Sequence, residues 1–346
     1  MRGRLNAAPA EDGFAELTFD AMTHYLYRYA GEGKLALIVH VRPDGDCVGS
    51  AFALRKLLSV IGCESWVVCA DKLPARLRFL GDGQGEIAAS AAPEEFAPGT
   101  GCRAVCIDVA APSQIGCLDG QYNVLLTLDH HSSSVAVSDR YLDSGASATG
   151  EIVWRIARNW LRAGIIHEIP DEVAMNVYAA ISSDTGCFRY SNVTPVTHRI
   201  AAQLIGQIPE HAEIDRLLFE VKTEGRIEAE KAAATMLRKY DGGRIVVCPI
   251  TAQRIAELGI EYEELDALID VARSEQGSEL AFSIREEADG SYRVSARANT
   301  EIDVSKLCVK FGGGGHQRAS GCSIHVPTIE EAERIIVAEA RELLGI

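Results

Sequence analysis

The stretch LALIVHVRPDGDCVGSAFALRKLLSVIG, residues 35–62, combines two kinds of pattern. Residues 35–41 are almost continuously apolar, which predicts a strand that is buried on both faces. Pro43 and Gly45 then predict a turn, and apolar residues at helical spacing predict a helix over 47–62. A buried strand followed directly by a helix is typical of the repeating unit of a parallel sheet.

The same alternation continues along the first two hundred residues. Three further apolar runs predict buried strands, SWVVCA (65–70), AVCIDVA (104–110) and NVLLTLD (123–129). Two segments with helical spacing follow them, ATGEIVWRIARNWLRAG (148–164) and DEVAMNVYAAISSDTG (171–186). We therefore predict an α/β domain over residues 1–210, with a mostly parallel sheet flanked by helices.

The pattern changes after this domain. A charged stretch over 211–239 predicts a helical connector. Two alternating segments within 278–299 then predict strands joined by a turn at Asp289-Gly290. The TIEE sequence that begins at Thr328 is a capping box, which predicts the start of a final helix. Residues 240–346 are therefore predicted to form a smaller α+β domain.

Composition and charge limit the possible partners. Of the 346 residues, 47% are hydrophobic and 24% charged, as in a typical globular protein. The net charge of −15 argues against a long nucleic-acid partner, because such partners require many neutralising cations. The ten cysteines are scattered and contain no C-x-x-C pair, and several lie in apolar runs, where a reduced cysteine is a small core residue. A reducing cytoplasm is expected. No signal peptide or membrane-spanning run is expected.

Polar residues follow the first strand in HVRPDGDCVGS, residues 40–50. Ligands of open parallel sheets bind at the carboxyl ends of the strands, where His40, Asp44 and Asp46 are expected. An aspartate before a helix is also a good N-cap, and Asp46 alone is explained in that way. His40 and Asp44 are not needed for capping, so the three residues together favour a ligand site.

The later strands and helices end in the same manner. Asp108 follows one strand, and Asp129 is followed by His130 and His131. Since neighbouring side chains on a strand point to opposite faces, we expect at most one of these histidines to face a given site. Asp184 lies at the unfavourable end of a helix dipole, where a metal ion would compensate its charge. The alternative for Asp184 is a simple turn residue.

These side chains offer oxygen and imidazole ligands without clustered thiolates. Such a set suits Mn²⁺ or Mg²⁺, and it is large enough for two ions. Two ions ~3.5–4 Å apart are the standard device for hydrolysing a phosphate ester. The chain has neither the P-loop signature of nucleotide triphosphatases nor the G-x-S-x-G signature of serine hydrolases.

A second candidate site is FGGGGHQRASG, residues 311–321. Four glycines allow successive backbone N–H groups to turn toward one point, which predicts an anion-binding nest. His316 follows directly, and Arg318 and Arg297 add positive charge. A flexible connector is the alternative, but the neighbouring residues favour a phosphate or nucleotide clamp.

These motifs resemble the DHH phosphoesterase superfamily over nearly the whole chain. The resemblance is carried by motifs in the expected order, HVRPDGDCVGS, VCIDVA, LDHH, DSGASATGE, SSDTGCFRY and GGGGHQRASG. The last motif is similar to that of the associated DHHA1 domain, which family-II inorganic pyrophosphatases lack. The length is similar to the NrnA-type enzymes, which degrade very short RNA (nanoRNA) and dephosphorylate 3′-phosphoadenosine 5′-phosphate.

The resemblance implies a centre of two Mn²⁺ ions, with Mg²⁺ or Co²⁺ as possible substitutes. One ion would be held by His40, Asp44 and Asp108, and the other by Asp46, Asp108, His130 and Asp184, with Asp108 bridging. His131 would lie near the scissile phosphate and act in catalysis with Asp108, while Asp129 would orient a histidine. The implied substrate-binding residues are Gly313, Gly314, Gly315, His316 and Arg297.

The implied activity is a manganese-dependent release of mononucleotides from very short oligonucleotides, together with hydrolysis of 3′-phosphoadenosine 5′-phosphate to AMP. The alternatives are hydrolysis of linear dinucleotides from cyclic-dinucleotide signalling, a single-strand exonuclease and a catalytically silent nucleotide-binding regulator. The silent alternative is disfavoured because all expected metal ligands are present. The family also implies a homodimer. One departure is Ser134, where relatives often have asparagine.

Overall fold

The computed structural model describes residues 8–9, 13–81, 84–132 and 135–346. Within these ranges, residues 8, 9, 262, 263 and 316 are described by their backbone alone. The chain divides into two units, Met1–Val221 and Lys222–Ile346.

The N-terminal unit alternates strands and helices. Its strands are β1 (Ala8–Pro9), β2 (Ala15–Glu16), β3 (Leu35–Val39), β4 (Ser65–Val68), β5 (Arg103–Ile107), β6 (Asn123–Asp129) and β7 (Arg140–Leu142). Its helices are α1 (Phe19–Gly31), α2 (Gly45–Val60), α3 (Thr149–Arg162), α4 (Asp171–Asp184), α5 (Pro195–Gln207) and α6 (His211–Asp215). A π-helical turn follows over Arg216–Glu220.

These strands form one sheet in the order β1-β2-β7-β6-β5-β3-β4. Every neighbouring pair is parallel except β1 and β2. The predicted α/β domain with a mostly parallel sheet is therefore confirmed. All five residues of β3 are buried, in agreement with its continuous apolar run. Because β3, β5 and β6 are parallel neighbours, their carboxyl ends meet at one edge of the sheet.

Close helix packing brings the segments that follow these strands together. A Cβ atom at Gly49 of α2 would lie 2.5 Å from the carbonyl oxygen of Asn176 in α4. A Cβ atom at Gly150 of α3 would lie 2.7 Å from the Cβ of Ala180, also in α4. Both distances are too short for a larger residue, so the glycines allow α2 and α3 to pack directly against α4. This packing positions the amino ends of α2 and α3 near the carboxyl end of α4.

The C-terminal unit is built around a mixed sheet. Its elements are α7 (Glu224–Met236), β8 (Arg238–Tyr240), β9 (Ile245–Ile250), α8 (Ala252–Leu258), α9 (Ala267–Ser274), β10 (Leu280–Glu286), β11 (Tyr292–Ala298), α10 (Ser305–Lys310), β12 (Gly314–His316), β13 (Ala319–Ile324) and α11 (Ile329–Leu344). The strand order is β12-β13-β11-β10-β9-β8, and only the β9–β10 pair is parallel. The predicted second α+β domain is confirmed.

The turn and the helix cap that the sequence predicts in this unit are both present. β10 and β11 form the expected antiparallel hairpin, and Gly290 in its turn has the positive φ of 80° that glycine tolerates. Thr328 caps α11 by accepting a hydrogen bond from the backbone N–H of Glu331 at 3.2 Å. The charged stretch over 211–239 is not one continuous helix, because Thr223 caps a new helix, α7, at Glu224.

The ten cysteines are all free thiols, and seven of them are buried. Cys106 and Cys248 have no solvent-exposed surface and pack in hydrophobic clusters, as expected for reduced core residues. Across the described ranges, no helix is both long and apolar enough to cross a lipid bilayer.

Candidate metal centre and active site

The turn after β3 carries the first candidate ligands, His40 and Asp44. Asp44 is the N-cap of α2, since its Oδ1 accepts hydrogen bonds from the backbone N–H groups of Asp46 and Cys47, each at 3.0 Å. The expectation that Asp44 is not needed for capping, and that Asp46 is the residue explained by it, is therefore wrong. The helix begins at Gly45, earlier than predicted, which places Asp46 inside its first turn. Capping does not remove Asp44 from the site, because the same oxygen lies 3.7 Å from His40 Nε2.

Asp108 lies at the centre of the candidate site, directly after β5. Its side chain is 2% exposed, and its backbone has a left-handed φ of 60°. Oδ2 of Asp108 lies 3.6 Å from His40 Nε2, and Oδ1 lies 3.6 Å from His130 Nε2. Thr149 donates a hydrogen bond from its hydroxyl to Oδ1 at 2.8 Å. The two oxygens of one carboxylate therefore face two different sets of candidate ligands.

The second set surrounds His130. Its Nε2 lies 3.7 Å from Oδ2 of Asp46 and 3.8 Å from Oδ2 of Asp184. These separations are too long for hydrogen bonds. They suit atoms that share one cation, because bonds of about 2.1 Å to an ion place neighbouring ligand atoms about 3–4 Å apart. The structure thus brings together the side chains that the sequence places far apart.

The two histidines are oriented by backbone carbonyl groups. Nδ1 of His40 lies 2.8 Å from the carbonyl oxygen of Val41, and Nδ1 of His130 lies 3.2 Å from that of Ala146. The tautomer in which Nδ1 donates to the carbonyl leaves the lone pair on Nε2, which faces the carboxylates. Both imidazoles are therefore arranged as Nε2 ligands.

The amino end of α3 supports Asp46. The backbone N–H of Thr149 donates to Oδ2 of Asp46 at 2.7 Å, and that of Gly150 donates to Oδ1 at 3.0 Å. Ser50 donates its hydroxyl to Oδ1 at 2.9 Å. Helix amino termini favour such anions because their N–H groups lack intrahelical partners. These contacts were not predicted from the sequence, although the small residues of DSGASATGE are the signal for them.

Only Asp129 of the triplet Asp129-His130-His131 belongs to strand β6. β6 ends at Asp129, whose Oδ1 accepts hydrogen bonds from the backbone N–H groups of His130 at 2.8 Å and His131 at 3.1 Å. The two imidazole rings lie with centroids 4.6 Å apart, and His131 Nδ1 is 3.6 Å from Oδ1 of Asp108. The expectation that at most one histidine faces a given site is wrong. Strand alternation does not apply because both histidines follow the end of the strand.

The charges of this cluster fit a divalent cation. Burial, together with nearby carboxylates, raises the pKa of Asp184 to about 7 despite the opposing effect of His130. Burial also raises the pKa of Asp46 well above its usual range. Within the described residues, no lysine or arginine forms an ion pair with these two side chains or with Asp44 and Asp108. The carboxylates of Asp46 and Asp108 are buried and those of Asp44 and Asp184 are partly exposed. Together with imidazole nitrogens, carboxylates without such a partner are a suitable ligand set for metal ions.

Cys47 is a member of the first set that the sequence analysis did not select. Its thiol, a ring nitrogen of His40 and a carboxylate oxygen of Asp44 all lie within 4.8 Å of one another. The sulfur also donates to the carbonyl oxygen of Asp44 at 3.6 Å. Cys47 is fully buried, and burial raises the pKa of its thiol. A cysteine inside an apolar helix is expected to be a core residue, so only the folded structure reveals its neighbours.

The glycine run of the C-terminal unit is used partly for structure. Gly312 has a φ of 70°, and the N–H groups of Gly312 and Gly313 donate to carbonyl groups of Val309 and Cys308 at 3.0 and 2.9 Å. This pattern closes the carboxyl end of α10 as a Schellman motif. The expectation of a nest formed by four successive glycines is therefore wrong, because two of the N–H groups are already used.

The remaining predicted substrate-binding residues lie on neighbouring strands. Arg297 of β11 pairs with Ala319 of β13, which in turn pairs with His316 of β12. Arg297 donates from Nη1 to the carbonyl oxygen of Ala296 at 3.0 Å, and Arg318 forms an ion pair with Glu301. The side chain of His316 lies outside the described part of the chain.

Ser134, at which the sequence departs from the expected family pattern, also lies outside the described residues. Asn192, which the sequence analysis did not select, donates from Nδ2 to Oδ2 of Asp184 at 3.1 Å. The same amide group donates to the carbonyl oxygen of Ser147 at 3.0 Å. Asn192 therefore positions Asp184 beside the segment that leads into α3.

Comparison with known proteins assigns both units. Residues 34–181 match the DHH family, N-terminal domain, and residues 242–345 match the DHHA1 domain. The bifunctional oligoribonuclease and PAP phosphatase NrnA of Thermus thermophilus is 31% identical over 317 residues, which are 91% of each chain. The protein of that name from Bacillus subtilis is 26% identical over 311 residues, covering 86% of this chain and 90% of the relative.

A solved structure supports the fold. The crystal structure of an exopolyphosphatase-related protein from Bacteroides fragilis matches with a TM-score of 0.82 and 20% sequence identity, covering 94% of this chain and 97% of the other. The candidate centre contains groups of His and Asp side chains that could hold metal ions. This chain is therefore a hydrolase of the DHH/DHHA1 phosphoesterase family, whose members depend on metal ions.

Proposed function

We propose that the protein is a Mn²⁺-dependent phosphoesterase that hydrolyses very short oligonucleotides to mononucleotides and 3′-phosphoadenosine 5′-phosphate to AMP. The observation that carries this proposal is the geometry of Asp108, whose two oxygens lie 3.6 Å from His40 Nε2 and 3.6 Å from His130 Nε2. A carboxylate shared in this way suits a pair of ions. The substrate choice is supported by the names of the relatives from Thermus thermophilus and Bacillus subtilis.

The ligands divide into two groups around Asp108. His40, Asp44 and Asp108 would hold one ion, and Asp46, Asp108, His130 and Asp184 would hold the other. Oxygen and imidazole donors of this kind favour Mn²⁺ and also accept Mg²⁺ or Co²⁺. When bound, two such ions supply activation of water and neutralisation of the charge that develops on the phosphate.

The protein's own side chains orient the reacting groups. In hydrolysis, water adds to phosphorus, the ester P–O bond breaks, and the leaving oxygen takes a proton. We assign the proton transfer and a phosphate contact to His131, whose Nδ1 is held by Asp129 at 2.7 Å. A histidine fixed at one ring nitrogen by a carboxylate transfers protons through the other. Asp108 is buried between the two ligand sets and belongs to both, so it would hold the two ions next to each other.

The C-terminal unit would bind the nucleotide. Arg297 offers a guanidinium group for a substrate phosphate. We propose that Gly314, Gly315 and His316, which follow the glycines that close α10, also contact the substrate. The overall charge of −15 supports a short substrate, because repulsion grows with each phosphate that no cation neutralises. We also propose that the protein acts as a cytoplasmic homodimer, which light scattering on the purified chain would test.

A substrate series tests this function. Labelled oligoribonucleotides, from dinucleotides to strands several times longer, would be incubated with the protein and Mn²⁺, Mg²⁺, Co²⁺ or a chelator. We expect mononucleotides from the shortest substrates and AMP from 3′-phosphoadenosine 5′-phosphate, with the highest rates in Mn²⁺. An absence of product with every divalent ion would disprove the enzymatic proposal, and a preference for long strands would favour a single-strand exonuclease.

A further inference from the structure

The first ligand set contains a sulfur atom that the proposed function does not use. Cys47 lies in the first turn of α2, and its thiol is within 4.8 Å of ligand atoms of both His40 and Asp44. Its contact with the carbonyl oxygen of Asp44, at 3.6 Å, holds it beside the residue that caps the helix. Cys47 is thus part of a mixed group of imidazole, carboxylate and thiol.

The neighbouring polar atoms independently indicate a cation at this position. His40 Nε2 lies 3.7 Å from Oδ1 of Asp44 and 3.6 Å from Oδ2 of Asp108, which is too long for hydrogen bonding. Asp108 is 2% exposed, so water does not easily compensate its charge. An ion bound by His40 and Asp44 would lie close to the thiol, because the sulfur is within 4.8 Å of a ligand atom of each.

Another buried cysteine provides a contrast. Cys106 is also fully buried and lies two residues before Asp108. It packs with Ile38, Val68 and other apolar side chains in a separate hydrophobic cluster. Among the described residues, Cys106 belongs to no group of potential metal ligands. Cys47 also packs in a hydrophobic cluster, so burial is common to both thiols, but within the part of the chain that the structure describes only the Cys47 thiol also lies beside potential metal ligands.

We propose that Cys47 is an additional ligand of the ion held by His40, Asp44 and Asp108, and that this site binds thiophilic divalent ions in preference to Mn²⁺. As the metal–sulfur bond forms, the thiol proton is released to solvent and the sulfur binds as thiolate. The inference rests on the metal centre in the proposed function.

The two positions of the centre would then differ in metal preference. The set around His130 offers carboxylates and one imidazole, which suit Mn²⁺ and Mg²⁺. The set around His40 adds a soft sulfur donor, which favours Zn²⁺, Cd²⁺ and Co²⁺. We expect Zn²⁺ and Cd²⁺ to occupy the Cys47 position first and to compete there with Mn²⁺.

Cobalt spectroscopy tests this assignment without a nucleotide. The full chain, freed of metal and carrying Cys117→Ser to remove the exposed thiol, would be titrated with Co²⁺ while the near-ultraviolet spectrum is recorded. We expect a thiolate-to-cobalt charge-transfer band that saturates at one ion per chain. Cys47→Ala and Cys47→Ser in the same background should lose the band, whereas Cys106→Ala should keep it.

Competition between Cd²⁺ and Mn²⁺ gives a second measurement. In Cys47→Ala, the affinity for Cd²⁺ relative to Mn²⁺ should fall by about tenfold or more. Even residues that only hydrogen-bond to a metal ligand change metal affinity by about 10–100-fold, and Cys47 would bind the ion directly. The proposal would be overturned if the Co²⁺-loaded parent lacked the band, and this outcome does not depend on whether the Cys47 variants fold. A band that survives in both Cys47 variants would also overturn it. Nucleotide hydrolysis is measured separately. A protein that shows the cobalt band but hydrolyses no nucleotide would contradict the proposed function and leave the Cys47 assignment intact.

Discussion

Asp129 and His131 form a hydrogen-bonded pair at the end of β6, with Oδ1 of Asp129 2.7 Å from Nδ1 of His131. Burial by itself lowers the pKa of His131, but the hydrogen bond with Asp129 and the charge of Asp108 outweigh it and raise the pKa. In the described part of the structure, the other oxygen of Asp129 is buried without a hydrogen-bond partner. Asp129 therefore acts on His131 through one oxygen.

Asp129→Asn should slow hydrolysis without releasing the bound metal. The amide oxygen still accepts the backbone hydrogen bonds, but the negative charge that orients the His131 ring is lost. We expect kcat to fall by about 10²–10⁴-fold, by analogy with other carboxylate–histidine pairs, with little change in bound metal. Asp119→Asn, at an exposed position, is the control. Normal kcat in a fully metal-loaded Asp129→Asn protein would contradict the assigned role.

Asp108→Asn should weaken both metal positions together. One oxygen of Asp108 faces His40 and the other faces His130, so loss of the charge affects each set. We expect Mn²⁺ affinity to fall by about 100-fold or more at both positions and hydrolysis to be nearly abolished. Calorimetric titration with Mn²⁺ measures the affinities and the number of bound ions.

Thr149→Val is the matched comparison for Asp108→Asn. It removes only the hydroxyl that donates to Oδ1 of Asp108 at 2.8 Å and keeps a side chain of similar shape. We expect a smaller loss of affinity, about tenfold, because the ligand remains but is less well oriented. If Asp108→Asn bound one ion with unchanged affinity, the shared-carboxylate assignment would be wrong.

Metal binding should depend on pH through His130 and Asp184. Burial alone lowers the pKa of His130, but Asp108 and other carboxylates outweigh it and raise the pKa to about 9 in the metal-free protein. An ion must therefore displace a proton from His130 below pH 9, and another from Asp184, whose pKa is raised to about 7, below pH 7. The pKa values of His40 and Asp46 are also raised, so these two ligands add to the proton release.

Because the ion competes with these protons, the affinity for Mn²⁺ should rise with pH. Each displaced proton should change the affinity by about tenfold per pH unit, and the dependence should become steeper below pH 7. Calorimetry in buffers with different ionisation enthalpies counts the released protons. His24→Gln, on the exposed face of α1, should leave the count unchanged, and binding without proton release would refute the prediction.

Two adjacent glycines should differ in their effect on stability. A Cβ atom at Gly313 would lie 2.1 Å from the carbonyl oxygen of Gly321, whereas one at Gly314 would meet nothing within 4 Å. Since a backbone oxygen cannot easily move, we expect Gly313→Ala to reduce the free energy of unfolding by about 1–3 kcal/mol or more. Urea denaturation measures this loss, and Gly314→Ala should unfold close to the parent. Equal stability of the two variants would contradict the close strand contact.

The local patterns of the sequence predicted a large part of the fold. Continuous apolar runs predicted β3 to β6 within a few residues, because burial on both faces requires apolar side chains throughout a strand. The alternation of strands and helices predicted the parallel sheet, and turn and capping residues predicted the β10–β11 hairpin and the start of α11. All of these features depend on residues that are near one another in the chain.

The shape of the site depended on contacts between distant residues. The sequence by itself identified the strand-end aspartates and histidines, since polar side chains after buried strands are a local signal. Only the tertiary structure decided that His130 and His131 both approach Asp108, and that Asp46 and Asp184 lie beside His130. The physical reason is that strand order and helix packing set these distances, and no local propensity encodes them.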